Sequence, residues 1–258
     1  MLNLSGDPLN VDPSHLRGEA LTDEFSLEIV AINSKVALFN ENYSEMMIGY
    51  TYEKWDVVRN TLPFFRKHEK TMSGIFGFGF SYTFAAVCHY DLYRAHGARK
   101  HRREGRRAHR KVNNWATTGT EMLSGPNKFL AAMESLCVKK APLDEVDSMF
   151  EAAFTACAES KCRYFEALAN ERLARLYFDE EPEETKGAKY LNRAIDLYRS
   201  WGALAKVEWL ENKERYRYSL NFKVRSRVGT MVRLVITLTV QTVLSSWITN
   251  EGSTDNPH

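Results

Sequence analysis

The sequence predicts an all-α protein in which antiparallel helical hairpins stack as a solenoid of about nine helices. The composition is that of a folded chain, with 44% hydrophobic and 26% charged residues among 258. Only 7 Pro and 14 Gly occur, fewer than the many turns of a β-sandwich would use. Apolar residues recur at helical spacing up to about residue 220, with short polar breaks between the runs.

Three regions differ in composition. Residues 1–20 are polar, contain Pro8 and Pro13, and are expected to form a flexible lead. They have neither a basic start nor an apolar stretch, so we expect no secretory signal and a cytoplasmic location. Residues 21–218 carry the helical pattern and form the predicted repeat domain. Residues 219–258 are a tail of divergent composition.

The helices of the repeat domain are placed by their caps and breaks. Thr22 is a suitable N-cap for the first helix, since acidic residues follow it. We place a break at Asn40–Asn42, and Pro126 suits the start of a later helix. The predicted ranges are about 22–39, 43–60, 82–96, 99–118, 126–139, 143–160, 162–179, 183–200 and 203–218.

Glycines alternate with aromatic residues in Gly74–Phe80, a pattern that at first sight suggests a phosphate-binding loop. A P-loop needs a lysine after its last glycine, and a dinucleotide site needs GxGxxG between a strand and a helix. The segment meets neither condition. We interpret it as a loop that leads into a helix, with its aromatic side chains in the core.

The clearest repeat unit lies within residues 170–202. Its small and large residues follow the order of a tetratricopeptide unit, in which the small ones let two antiparallel helices approach closely. The terminal proline of that pattern is missing, and a weaker echo lies at 130–157. We expect close helix packing at Leu173, Ala174, Tyr177, Gly187, Leu191 and Ala194.

Four segments carry a resemblance to a known family: Trp115–Ala116, Pro126–Phe129, Glu166–Glu171 and Tyr198–Val207. They are similar to the helical repeat segment of large multidomain signalling proteins. Those proteins join a serine/threonine-kinase-like domain, an AAA-type ATPase, this segment, a GAF domain and a histidine kinase. The resemblance covers about residues 40–215, and its most specific parts read EALANE and WGALAKV.

The resemblance implies a regulatory segment that works with kinase or ATPase modules in signalling. The sequence itself holds no Walker lysine motif, no kinase HRD or DFG set and no GxSxG motif. The chemistry of the family is therefore transferred to no residue. We expect a protein that is not an enzyme and that needs no cofactor.

The most unusual local feature is the basic run at 94–111, which contains a single acid, Glu104. Such a run suits nucleic acid phosphates, anionic lipid or an acidic partner. Nucleic acid is the less favoured ligand, because no docking motif and no interleaved aromatic residues accompany the run. The alternative is a solvated helix that pairs with acids elsewhere on the fold. The candidate anion-binding residues are Arg99, Arg102, Arg103, Arg106, Arg107 and Arg110.

Metal binding is not indicated. Cys157 and Cys162 have no His nearby, and their spacing differs from that of known zinc sites. His101 and His109 lie among like charges, which repel a cation. We interpret the four cysteines as buried and reduced.

Residues 231–249 are β-branched and weakly polar, unlike the rest of the chain. A tail-anchor membrane helix is one interpretation, because basic residues precede the segment and acidic residues follow it. Arg233 and Gln241 interrupt it, which argues against a membrane span. A β-strand is a second interpretation, since apolar residues alternate with threonine. A helix that caps the last repeat is the third.

The sequence therefore favours a non-enzymatic scaffold that binds a protein or peptide partner on a helical repeat. A basic surface that binds nucleic acid or anionic lipid through residues 94–111 is the alternative. Membrane association through residues 231–249 is the alternative to a cytoplasmic location.

Overall fold

The structure is a computed structural model, and it describes residues 22–32, 34–69, 78–138, 141–179 and 183–213. Within these ranges the regular elements are all helical: ten α-helices and one short 3-10 helix at Glu121–Leu123, with no strand. The α-helices are α1 Asp23–Ala31, α2 Lys35–Thr51, α3 Trp55–His68, α4 Phe78–His96, α5 Arg99–Thr117, α6 Ser124–Ser135, α7 Leu143–Glu159, α8 Arg163–Asp179, α9 Glu184–Ser200 and α10 Leu204–Asn212.

Consecutive helices pack in pairs. α2 lies against α3, α4 against α5, α6 against α7 and α8 against α9. The short connections make each pair an antiparallel hairpin. α4 also contacts α2 and α6, and α6 contacts α8, so that neighbouring hairpins stack on one another. The predicted all-α class, with helices packed in neighbouring pairs, is therefore confirmed.

Aromatic side chains from different hairpins fill the core. Phe84 of α4 contacts the rings of Tyr164 and Phe165 in α8, with centroid separations of 5.5 and 5.4 Å. Tyr164 also contacts Tyr198 of α9 at 6.1 Å. Full burial of one large apolar side chain contributes roughly 1.5–3 kcal/mol. These contacts therefore hold α4, α8 and α9 together.

The break predicted at Asn40–Asn42 is wrong. α2 continues through these residues, and the side-chain nitrogen of Asn42 donates to a backbone carbonyl one turn back (2.9 Å). The helix ends at Thr51 instead, and Glu53 takes a left-handed conformation, with φ of 59°, before α3 begins. A further break separates α1 from α2, where Ser34 caps α2 by accepting a hydrogen bond from an amide of its first turn (3.4 Å). Three helices thus stand where two were expected.

α4 begins at Phe78, earlier than the predicted start at residue 82. The Phe78 ring contacts Tyr82 and Trp115, with centroid separations of 4.9 and 5.9 Å. This aromatic residue of the glycine-rich segment therefore packs against other rings. The earlier part of that segment, up to residue 77, lies outside the described residues.

α2 also contacts the last helices of the repeat domain. The hydroxyl groups of Thr51 and Tyr164 lie 2.6 Å apart. The ammonium of Lys206 donates to the carbonyl oxygen of Thr51 (2.6 Å), which joins residues 155 positions apart. In a simple linear solenoid a repeat contacts only its neighbours. These hydrogen bonds add long-range contacts between α2 and the helices α8 and α10, which the helical pattern does not predict.

The described residues up to Leu210 belong to one compact unit, and a second unit begins at Glu211. Of the second unit, residues 211–213 are described. The lead at 1–20 and the segment 231–249 lie outside the described residues, so the three interpretations of that segment stay predictions. No helix in the described part of the chain is long and apolar enough to cross a membrane.

Candidate anion-binding groove

α5, the basic helix, packs through a narrow stripe of small side chains. Gly105, Ala108 and Val112 are its buried residues, and their spacing places them on one face. A Cβ on Gly105 would lie 2.8 Å from the Tyr90 ring of α4, so a larger residue would separate the two helices. Because the stripe is narrow, most basic side chains of α5 lie outside the core.

A groove of about 960 Å³ lies between α5 and α6. Five of the six predicted anion-binding arginines line it, and Glu134 is the single acid among its lining residues. This excess of guanidinium groups over carboxylates gives the groove a positive potential. The five are Arg99, Arg102, Arg103, Arg106 and Arg110.

Three of these arginines are not neutralised. Arg99, Arg102 and Arg110 form no ion pair with any residue that the structure describes. The Nε of Arg102 is buried and has no hydrogen-bond partner there, and its guanidinium carbon lies 5.7 Å from the centroid of the Tyr93 ring. A buried donor without an acceptor costs roughly 1–3 kcal/mol.

Glu134 of α6 binds three side chains of α4 and α5. Arg106 Nε donates to its Oε1 (2.6 Å), Tyr90 OH donates to its Oε2 (2.9 Å), and His109 Nδ1 lies 3.0 Å from the same Oε2. Burial raises the pKa of Glu134, but the hydrogen bonds from His109, Tyr90 and Arg106 outweigh burial, and the pKa falls below its ordinary value. Glu134 is therefore ionised at neutral pH and already engaged, which leaves the remaining arginines available.

Arg107, the sixth predicted residue, does not line the groove. Its Nη1 and Nη2 donate to Oε1 and Oε2 of Glu69 (2.8 and 2.7 Å), a bidentate pair. Its Nε donates to Glu104 (3.1 Å), which Arg66 also binds. Burial raises the pKa of Glu69, but Arg107, Tyr82 and Lys111 together outweigh burial and lower it below its ordinary value. Arg107 therefore joins α5 to the C-terminus of α3. Of the two interpretations of the basic run, Arg107 follows the second, in which a basic residue pairs with an acid elsewhere on the fold.

Two histidines meet on another side of α5. Nδ1 of His89 and Nδ1 of His101 lie 3.0 Å apart, beside a second cavity of about 490 Å³ with mostly basic lining residues. Burial, and to a smaller extent His101, lower the pKa of His89 to about 4. Within the described ranges no group of three or more His, Cys, Asp or Glu side chains is placed to hold a metal ion.

The predicted repeat-packing residues lie where α8 and α9 meet. A Cβ on Gly187 would lie 2.8 Å from the Phe178 ring, so glycine permits the close approach of the two helices. Tyr177 OH donates to Asp147 of α7 (2.6 Å), which links the pair to the preceding hairpin. All six residues are buried: Leu173, Ala174, Tyr177, Gly187, Leu191 and Ala194.

A cluster of buried charges, which the sequence did not predict, joins α8 to α10. Glu171 and Lys206 are both fully buried, with Lys206 Nζ 3.1 Å from Glu171 Oε1. Arg175 binds the same oxygen, and Tyr198 OH donates to Oε2 (3.0 Å). The Lys206 ammonium also lies 3.9 Å from the centroid of a Trp209 ring, a favourable cation–π distance.

Burial and the neighbouring charges shift the pKa values of Glu171 and Lys206 to different extents. Burial raises the pKa of Glu171, but Lys206, Arg175 and Arg172 together lower it far below its ordinary value. Burial lowers the pKa of Lys206 more than Glu171 raises it. Glu171 is therefore the firmly ionised centre of the cluster and the ion-pair partner of Lys206, whereas Arg175 also binds Glu53.

One signal in the sequence does lead to the cluster. Glu171 ends the EALANE segment and Lys206 lies in the WGALAKV segment, the two most specific parts of the resemblance. The charges of these two residues do not predict their pairing. Glu and Lys are mostly exposed and are almost never fully buried unless they are paired, so a surface position is the ordinary expectation. Their contact supplies a physical role for one residue of each segment.

The side chains of the groove are suited to binding anions. A guanidinium group stays charged and donates hydrogen bonds in a planar fork that matches carboxylate and phosphate oxygens. Compared with known proteins, the chain matches no family model, no curated protein and no solved structure.

Proposed function

We propose that the chain is a non-enzymatic, tetratricopeptide-like scaffold that binds an acidic segment of a partner protein in the groove between α5 and α6. The observation that carries the proposal is the groove itself, in which five arginines face one glutamate. That glutamate already binds Arg106. Acidic side chains of a partner would supply the counter-charges that Arg99, Arg102 and Arg110 lack among the described residues.

The shape of the groove favours a peptide segment over a membrane or DNA. Its volume of about 960 Å³ falls within the range of ligand clefts, about 300–1,000 Å³, and both α5 and α6 form its walls. Helices that bind lipid surfaces or read DNA expose a whole face to their ligand. The arginines of α5 that line the groove instead face a concave site that α6 also lines. Arginine is also the basic residue that is enriched in protein interfaces.

We extend the proposal to the setting in which the scaffold acts. The resemblance of residues 166–171 and 198–207 supports a regulatory segment of signalling proteins, with kinase or ATPase modules as the partner class. The ion pair between Glu171 and Lys206 connects the two segments. A cytoplasmic location belongs to the same proposal.

Fluorescence anisotropy of the full chain with a labelled peptide of alternating Glu and Gly residues tests the proposal. We expect saturable binding that weakens about tenfold between low and physiological salt, because salt screens ion pairs at an open groove. The control peptide has Gln in place of Glu. Equal affinity for the two peptides would contradict the proposal, and tighter binding to anionic vesicles or to a single-stranded oligonucleotide would favour the alternative. Turnover of ATP by the chain would contradict the non-enzymatic part.

A further inference from the structure

We propose that the groove between α5 and α6 recognises a phosphorylated segment, with the phosphoryl group held by Arg102 and Arg106. This inference rests on the proposed function and names the chemistry of the partner. Arg102 and Arg106 are four residues apart on α5 and both line the groove. Residues at this spacing are neighbours on a helix surface. Their guanidinium groups can therefore reach one ligand group.

Arg102 is held in place at the wall of the groove. Its Nε is buried without a hydrogen-bond partner among the described residues. The guanidinium carbon lies 5.7 Å from the Tyr93 ring centroid, so stacking restricts the orientation of the fork. A positioned and partly desolvated guanidinium is suited to an anionic oxygen that approaches from the groove.

Arg106 is held in a different way. Its Nε donates to Glu134 (2.6 Å), while its two Nη nitrogens have no partner within the described part of the chain. Glu134 therefore fixes one edge of the guanidinium and leaves the other nitrogens as donors. Since Glu134 also accepts from Tyr90 (2.9 Å), its own position is fixed as well.

Two forks favour a phosphoryl group over a carboxylate. A carboxylate has two oxygens, and one bidentate arginine satisfies both. A phosphoserine group offers three acceptor oxygens and a charge of about −1.5 to −2, which matches two guanidinium groups. Arg99 and Arg110 line the groove on either side of this pair and are placed for acidic residues that flank the phosphorylated one.

Three labelled peptides, measured by anisotropy with the full chain, test the inference. The first alternates Glu and Gly around a central serine. The second carries a phosphate on that serine, and the third has two Glu residues in its place, which adds about the same charge. We expect the phosphorylated peptide to bind about tenfold more tightly than either of the others, the effect of hydrogen bonds to a charged group. Equal binding of the second and third peptides would overturn the inference but leave the proposed function standing. Binding of none of them would remove both.

Matched variants locate the phosphoryl group. Arg102→Lys keeps the charge but loses the fork, and it should reduce the tenfold preference to about twofold or less. Arg59→Lys is the control, because Arg59 is exposed and lines the other cavity; the preference should persist. A preference that survives Arg102→Lys would overturn the inference. So would displacement of the peptide by inorganic phosphate at a similar affinity, or tighter binding of a single-stranded RNA of equal charge. The comparison of peptides needs no variant, so it decides the matter even if a variant fails to fold.

Discussion

Replacing Glu171 by Gln removes the negative charge that binds Lys206 in the buried cluster while it keeps the size of the side chain. In the folded protein Glu171 accepts from Lys206 at 3.1 Å and from Tyr198 at 3.0 Å, and it also binds Arg175. A glutamine retains an acceptor oxygen but leaves the buried Lys206 without its counter-charge, whereas Arg175 keeps its ion pair with Glu53. We therefore expect a large loss of stability rather than the small loss typical of a surface ion pair.

The size of the loss follows from burial. Breaking a buried ion pair by removing one partner costs about 3–5 kcal/mol, and both Glu171 and Lys206 have 0% exposure. Each kcal/mol lowers the melting temperature of a domain of this size by about 2–4 °C, so we expect a fall of about 10 °C. Lys206→Met keeps an apolar stem beside Trp209 and leaves Glu171 with Arg175, so its loss should be smaller, about 1–3 kcal/mol.

Urea denaturation followed by far-UV circular dichroism gives the free energies of unfolding for the two single variants and the double variant. The double variant should lose less than the sum of the single losses, with a coupling energy of about 1–3 kcal/mol. Glu159→Gln is the control, because Glu159 is exposed, and it should change stability by no more than about 0.5 kcal/mol. Additive losses, or a stability of the Glu171→Gln variant within about 0.5 kcal/mol of the wild type, would refute the reasoning.

Three further changes test other contacts. Gly125→Ala should cost about 1–3 kcal/mol, because its Cβ would lie 2.6 Å from the Cα of Cys157 and push α6 away from α7; an unchanged melting temperature would contradict this packing. Glu69→Gln should cost about 2 kcal/mol, because it breaks the bidentate pair with Arg107; no loss in urea denaturation would mean that the pair is absent in solution. His89 has a folded pKa of about 4, lowered by burial, so between pH 6.5 and 4 the unfolded state binds more protons and stability falls as the pH falls. The contribution is about 3 kcal/mol, and His89→Gln should remove it; a variant with the same pH dependence as the wild type would show that His89 is not the group involved.

Local signals were sufficient for most helices and failed near the N-terminal end of the described chain. The predicted ranges 99–118 and 183–200 agree with α5 and α9 to within one residue at each end. The false break at Asn40–Asn42 arose because polar residues inside a helix resemble a turn in sequence. The real turn uses Glu53 in a left-handed conformation, which residues other than Gly, Asn and Asp rarely adopt. Residue preferences therefore did not predict the turn at Glu53.

The candidate site was predictable along the helix but not across helices. The basic run predicted both the helix α5 and its candidate arginines, and five of them line the groove. It does not show that Arg107 turns towards Glu69, or that Glu134 from α6 binds Arg106. Those contacts depend on how α3 and α6 pack on α5, and no local pattern encodes that packing. The contact between Glu171 and Lys206 was not predicted for the same reason, although each residue lies in a distinctive segment of the sequence.

Calorimetric titration of the Glu–Gly peptide into two matched double variants tests the central claim, that the groove is the binding site. Arg99→Gln with Arg110→Gln removes two charges from the groove. Arg59→Gln with Lys100→Gln removes two charges from the other cavity, on α3 and α5. We expect the groove variant to lose at least about tenfold in affinity, or about 1.4 kcal/mol, and the control to change by no more than about twofold. Equal losses in the two variants would show that the peptide responds to total charge, and would contradict a binding site between α5 and α6.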